Sequence, residues 1–313
     1  MTTHGIEVAP CADPADEERS LAVYNAVWPW DSVTMDEVES FKRSMRVYAD
    51  HLALSGADVV GSAAVGVAPS RPDVAFALVN VLPEHRRRGA GTALYRAVSE
   101  WLVEHGLDRI DAPVPEDDPA SLAFAARRGF VEVERNSRLV LDLTNFDPPD
   151  VDPPPGVRIT TWADEPDAAR GIYEVACEAY PDVPGEADSV MEPFDDWLAH
   201  DMRGSGDLPE ATFVAVAGDE VVGYAKFSLT AARPKVASHD MTGVKRAWRG
   251  RGIAGALKRA QVAWAKAAGF EQVQTQNEVR NEPIRRLNAR LGYRPGPGRV
   301  LMRGPLAEVA ARA

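Results

Sequence analysis

Arg249, Gly250, Arg251, Gly252, Ile253 and Ala254 make a basic, glycine-rich turn that opens an amphipathic helix. Leu257, Ala260 or Gln261, Trp264 and Ala268 follow at helical spacing, and Gly269 stands where a helix C-cap belongs. A helix that starts at such a turn aims several unpaired backbone N–H groups at one spot, and its dipole adds roughly half a positive charge there. Lys245 and Arg246 lie just upstream. The chemistry this suits is capture of a polyanion, most naturally a phosphate or pyrophosphate. A solvated turn with no ligand has the same composition, so the segment alone does not decide.

The chain contains the stretch twice. A shift of 163 positions, from Gly89 to Gly252, lays Arg249 and Arg251 on Arg86 and Arg88. The same shift pairs Val244 with Val81, Leu257 with Leu94, Trp264 with Trp101, Gly269 with Gly106 and Gly292 with Gly129. One spacing thus holds from the strand before the turn to a glycine well beyond the helix. A surface turn gives no reason for that. Repetition on this scale means two copies of one domain rather than a solenoid.

At 313 residues the chain is long enough for two domains, each with its own core. It contains 45% hydrophobic and 26% charged residues, which are globular values. No run of about 18 apolar residues occurs and the N-terminus lacks a signal-peptide pattern, so the expectation is a cytoplasmic protein with no membrane partner. A net charge of −12 argues against general nucleic-acid binding, and the two arginine-rich turns in that acidic background suit a small anionic ligand. Cys11 and Cys177 make no disulfide framework, and the six histidines show no ligand-like pairing, so no metal is expected.

The elements that must hold the two turns follow in order. Gly5–Val8 reads as a strand, and Asp16–Trp28 and Met35–Tyr48 as helices joined at Pro29. Trp28 and Trp30 either line a pocket or cover core. His51–Leu54, Val59–Val67 and Ala75–Leu82 read as strands, then come the first turn and a helix to His105. Arg109–Val114 is a strand that Pro113 keeps from pairing on both sides. Ser121–Arg128 is a helix, and Val131–Leu143 closes the first half. Residues 147–155 hold five prolines' worth of stiffness around Asp150 and Asp152, and they read as the linker between domains 1–146 and 156–313. The second half repeats the plan: a strand at Gly156–Ile159, helices at Ala168–Tyr180 and Pro193–Met202, and a loop at 181–185. A hairpin follows at Thr212–Ala217 and Val221–Leu229, then a strand at His239–Val244. After the turn and its helix come a strand at Gln272–Gln276, a helix at Pro283–Leu291 and a last strand at Val300–Arg303. The class is α/β with mixed sheets.

This arrangement resembles the GNAT superfamily of acyl-CoA-dependent N-acetyltransferases in tandem, with a mycothiol-synthase-like architecture. The signature reads Arg86-x-x-Gly89-x-Gly91 and Arg249-x-x-Gly252-x-Ala254; Asn277, Asn281-Glu282-Pro283 and Asn288-Ala289-Arg290-Leu291-Gly292-Tyr293 look like the family's following strand–helix element. The resemblance implies two GNAT-like domains, each a mixed, mostly antiparallel sheet flanked by helices, with a splayed cofactor strand. It implies acetyl-CoA or another acyl-CoA as cofactor, held by Met241, Thr242, Gly243 and Val244, by Arg249 through Ala254, and by Asn281 and Asn288. The corresponding first-half positions are Val79, Val81, Arg86, Arg88, Gly89, Ala90 and Gly91. The acceptor is a primary amine of a small molecule or peptide.

Direct attack of an amine on a thioester needs a base and preferably an acid for the thiolate. The family's tyrosine four residues before the late glycine is replaced here by Asn288 and by Ala125. His239 and Asp240 are the candidates for the base. Glu178, Tyr180 and Asp182 face an acceptor or end a solvated helix, and Cys177 reads as a small buried hydrophobe. Asp118 stands where the second half has Asn281, and a carboxylate beside a multiply charged cofactor is unfavourable. Chemistry is therefore expected in the C-terminal half, with the first half degenerate or structural, completing an internal pseudo-dimer. A non-catalytic CoA-binding sensor or scaffold, with both halves occupied, is the alternative.

Overall fold

The computed structural model describes residues 5–69, 71–183, 191–204 and 206–308. The first copy runs β1 (Ile6–Pro10), α1 (Pro14–Val27), α2 (Met35–Ser44), β2 (Val47–Ser55), β3 (Asp58–Val67), β4 (Ala75–Val81), α3 (Ala90–Glu104), β5 (Arg109–Pro115), α4 (Pro119–Ala126) and β6 (Val131–Asp142). The second runs β7 (Arg158–Thr161), α5 (Ala169–Ala179), α6 (Phe194–Asp201), β8 (Thr212–Ala217), β9 (Glu220–Leu229), β10 (Val236–Val244), α7 (Ile253–Ala267), β11 (Gln272–Glu278), α8 (Glu282–Arg290) and β12 (Arg294–Pro305).

Local chemistry explains most of these limits. Asp13 caps α1 by accepting the Asp16 N–H at 3.0 Å, with Pro14 at the first helical position. Thr34 and Glu37 close a reciprocal capping box on α2. That helix stops at Ser44, short of the expected Tyr48, because Val47–Ser55 pairs along β3 and takes Tyr48 into the sheet. Part of the loop expected at 181–185 lies outside the described residues.

Two compact units emerge, Met1–Arg135 with Arg299–Ala313, and Asn136–Gly298. The proline-rich stretch 147–155 falls inside the second, with the Asp152 carbonyl accepting from Arg259 at 3.0 Å. In the first unit β1, β2, β3 and β4 pair antiparallel in sequence, β4 meets β5 in parallel, and β5 pairs antiparallel with Arg299–Pro305 of β12. In the second, β7, β8, β9 and β10 pair antiparallel, β10 meets β11 in parallel, and β11 pairs antiparallel with Asn136–Asp142 of β6. The closing strand of each unit therefore comes from the other copy. The apolar residues account for this: Leu141 and Leu143 are buried with Phe227, Val262 and Val273, whereas Val300 and Met302 are buried with Leu94, Val98 and Ile110. Each fully buried aliphatic side chain contributes about 1.5–3 kcal/mol, so both closing strands belong to the cores they complete.

Candidate active site

In the second unit, β10 pairs with β11 only from Val236 to His239 and then leaves it. On its other edge the register with β9 breaks between His239 and Thr242 and resumes through Val244. Asp240 and Met241 thus sit at an irregularity, and Asp240 to Val244 present backbone groups on the side that β11 has left. An extended ligand could pair there.

Beyond the strand the chain turns through Gly250 (φ 74°) and Gly252 (φ 89°) into α7, which has no side-chain cap. The first helical bond recorded there runs from the Ala256 N–H to the Gly252 carbonyl, leaving the N–H groups of Ile253, Ala254 and Gly255 directed outward. A Cβ on Gly252 would meet nothing within 4 Å, so the space over the turn is open. Uncapped amides, a helix dipole and open space fit a pyrophosphate. The Ile253 side chain itself is buried in the core, so only its backbone faces that space.

Most of the turn's cations are already engaged. Arg249 Nε donates to the Val244 carbonyl at 2.9 Å, and its Nη1 lies 2.6 Å from Asp182. Arg246 grips Asp182 with two bonds of 2.9 Å, and Lys245 pairs with Glu220 at 2.9 Å. Hydrogen bonds from Arg246 and Arg249 hold the Asp182 carboxyl down at about 2. Glu178 accepts the Arg246 backbone N–H at 2.5 Å. Asp182 and Glu178 therefore brace the turn. Arg251 makes no carboxylate pair among the described residues; it donates to the Ala247 carbonyl and lies over Trp248 at 4.7 Å.

His239 and Asp240 are consecutive in a strand and face opposite sides. His239 is buried under α7, stacked on Phe227 with its Nε2 2.5 Å from the Tyr293 hydroxyl. Burial, then the charge of Lys258, push its pKa well below the usual value, so the ring is neutral. Asp240 is 41% exposed, and its Oδ2 lies 3.0 Å from Lys226 Nζ. That ammonium also contacts Asp207 at 3.0 Å and Asp201 at 3.7 Å. Burial works against the Lys226 charge, but Asp240, Asp201 and Asp207 outweigh it and raise its pKa. Burial pushes Asp201 up to about 6. Lys226 escaped the sequence reading, although a lysine inside the buried run Val221–Phe227 was a usable signal.

Asn281 sits at the N-cap of α8 without making a capping bond. Asn288 is fully buried and donates from Nδ2 to Asn277 Oδ1 at 2.6 Å, which ties α8 to β11.

The first unit repeats the geometry. β4 and β5 pair only at Ala75 and Phe76, then part; Pro113 is paired on the β12 side alone. Arg86 Nε donates to the Val81 carbonyl at 3.1 Å, as Arg249 does to Val244, and Gly89 (φ 96°) opens an uncapped α3. Arg87 adopts φ 65° where the second copy has Gly250. A cleft of about 570 Å³ follows the parted strands and the turn; Val79, Val81, Gly89, Ala90 and Gly91 line it, whereas Arg88 is exposed outside it. Asp118 caps α4 through the N–H groups of Ala120 and Ser121 and pairs with Arg86 at 2.7 Å. Its counterpart Asn281 does neither.

Residues 15–130 and 169–293 each match the model of the acetyltransferase (GNAT) family. The chain belongs to that family. A mycothiol acetyltransferase of Cellulomonas flavigena is 32% identical over 141 residues, covering 44% of this GNAT chain and 40% of the relative. An L-2,4-diaminobutyric acid acetyltransferase of Nocardia farcinica is 41% identical over 66 residues, 20% of this chain and 34% of its own. The alignments thus span less than half the length of these curated relatives. Among solved structures, a tandem GNAT protein from the clavulanic acid biosynthesis pathway, without AcCoA, superposes with a TM-score of 0.74 at 23% identity, over 97% of this chain and 100% of that one. A GCN5-related N-acetyltransferase from Sphaerobacter thermophilus gives 0.75 at 21% identity over 97% of both chains. These likenesses establish a tandem GNAT fold.

Proposed function

We propose that this GNAT protein transfers an acetyl group from acetyl-CoA to a primary amine of a small molecule or peptide, with the chemistry in the C-terminal unit. One observation carries the reading: the open edge of β10 leads from an exposed carboxylate, Asp240, to an uncapped helix N-terminus. An acyl-CoA fits that path. The backbone of Met241 to Val244 would pair with its pantetheine arm, and the amides of Ile253, Ala254 and Gly255, with Arg251 near them, would hold its pyrophosphate. Bound there, it supplies an acyl group already activated as a thioester.

Asp240 accepts the proton that the attacking ammonium must shed, and Lys226 fixes that carboxylate in place. His239, neutral and enclosed, supports the strand and takes no proton from the acceptor. A second reading, a non-catalytic protein binding CoA in both units, is favoured by the shared uncapped helices of α3 and α7. Steady-state thiol release across an amine panel, with parallel acetyl-CoA calorimetry, tests the two. Asp240→Asn should lower kcat by about 10²–10⁴-fold and leave acetyl-CoA affinity unchanged. Full turnover in that variant would remove Asp240 from its role, and binding without turnover of any amine would favour the sensor.

A further inference from the structure

Strand register shows which residues of the two units correspond at the inner end of the cleft. Ala75 lies opposite Ile110 and Ala237 opposite Val273, which puts Ala77 level with His239. Past the irregularity in β10, the spacing of 163 sets Tyr95, Val98, Ala125 and Phe130 against Lys258, Gln261, Asn288 and Tyr293. The five first-unit residues line the cleft of about 570 Å³ and carry a single hydroxyl among them. Every one of their counterparts is polar, and one is a lysine. We propose that Lys258 is the acid of the second unit: its ammonium faces the sulfur of a bound acyl-CoA and protonates the thiolate as it departs. The inference rests on the reading that this unit binds acyl-CoA. It supplies the acid that Asn288, in place of the family's tyrosine, leaves missing.

Three observations carry it. The first is position. Tyr95 lines the first cleft although it is only 7% exposed, so the burial of Lys258, at 1%, does not take it away from the equivalent space.

The second is charge. Lys258 has no carboxylate partner among the described residues, and burial alone acts on its pKa, lowering it to about 7. Its neighbours are the Tyr293 ring at 5.7 Å and His239, both uncharged at pH 7. Lysines are almost never enclosed without a partner. An unpaired ammonium here is a fixed complement to negative charge that develops only during reaction, which favours the transition state over the ground state. An acid of near-neutral pKa also gives up a proton and regains one readily.

The third is the set of unmet polar groups beside it. Gln261 is fully buried, and neither of its amide atoms finds a hydrogen-bond partner among the described residues; nor does His239 Nδ1 or Asn288 Oδ1. A packed core gains nothing from four such atoms, whereas a guest bearing amide and thioester groups would give them partners.

In the proposed step Lys258 hands its proton to sulfur as the C–N bond forms and the C–S bond breaks, its electron pair going to sulfur. The products are an amide, a free thiol and a neutral lysine. The acceptor ammonium sheds two protons, one to Asp240 and one to solvent, and Lys258 regains its own from solvent once the thiol has left.

Two measurements on the full chain test this, with free CoA and acetyl-CoA as probes. The first titrates the thiol of bound CoA by the ultraviolet absorbance of the thiolate. In the parent, the thiol held in the second unit should be half-ionised at a pH about 1–3 below that of free CoA, and in Lys258→Met at or above the free value. The first unit, with Tyr95 at this place, contributes equally to both. Asp240→Asn should keep the parent's titration. The second is turnover: Lys258→Met should lower kcat by about 10²–10⁴-fold and leave acetyl-CoA affinity unchanged. That variant removes an unpaired buried charge, and Lys258→Gln, of similar length, should behave alike if packing is not the cause. A thiol that titrates identically in parent and Lys258→Met, or full turnover in that variant, would overturn the assignment and leave the reading of function intact. CoA binding and turnover that both survive Gly252→Val would remove the second unit as the site, and this inference with it.

Discussion

Lys226 and Asp240 meet at 3.0 Å, a buried ammonium and an exposed carboxylate, and the same ammonium holds Asp207 and Asp201. Lys226→Met would leave three carboxylates without their shared cation, at a cost of about 3–5 kcal/mol. Asp201, already raised to about 6, binds a proton in the folded state at a pH where it would be ionised unfolded. Stability on its account falls as pH rises from about 4 to 6. The variant's deficit should therefore be smallest near pH 4 and largest above pH 7, read as the difference in calorimetric Tm from the parent.

Lys258 presents the opposite case. Its side chain is 1% exposed beside the Tyr293 ring, and burial lowers its pKa to about 7. Between that value and 10.5 the unfolded chain holds more protons, so stability rises with pH through the window. The penalty is complete below about 7 and amounts to a few kcal/mol. Lys258→Met should unfold at a higher temperature than the parent at pH 6, with the two converging toward pH 10. Parallel melting curves across that range would remove Lys258 as the cause.

Gly252 and Gly269 flank α7 with φ of 89° and 84°, and a Cβ on either would meet nothing. Valine at either position carries the same backbone strain, about 1–2 kcal/mol. Only Gly252→Val should abolish acetyl-CoA binding in the second unit, as measured by calorimetric stoichiometry. Equal losses of binding in both variants would point to instability and not to the turn.

Asp118→Asn should retain the cap on α4, since asparagine caps as well as aspartate, and should release Arg86 toward the first cleft. Burial opposes the Asp118 charge, but bonds from Ser121, the charge of Arg86 and the Ala120 N–H lower its pKa overall. Its contribution is present above about pH 4 and is lost as pH falls through the depressed value. The substitution should cost less than about 1 kcal/mol and, in a Gly252→Val background, raise acetyl-CoA affinity several-fold. Unchanged or weaker affinity there would contradict the charge argument.

The two turns and their helices were legible because glycine spacing and helical periodicity are local. So was the parting of β4 from β5, which Pro113 announces. The pair His239 and Asp240 could be narrowed only by knowing which face α7 covers, a fact of tertiary packing. The partners of Lys226 lie at 201, 207 and 240, and nothing in their spacing marks them as one cluster. Arg87 shows the reverse: the turn's backbone repeats at φ 65° although the glycine of the second copy does not.

The crossing of β6 and β12 bears on how the protein is made. A ribosome that has emitted the first 146 residues has not yet delivered Arg299–Pro305, the strand that pairs with β5. The earlier unit must wait, with β5 lacking that neighbour, until the later one has been translated. At about 5–20 residues per second that delay lasts roughly 10–30 s, during which an unsatisfied strand edge is open to wrong partners. Cutting the gene at the proline-rich stretch would make the delay permanent, because each fragment carries the strand that the other one needs.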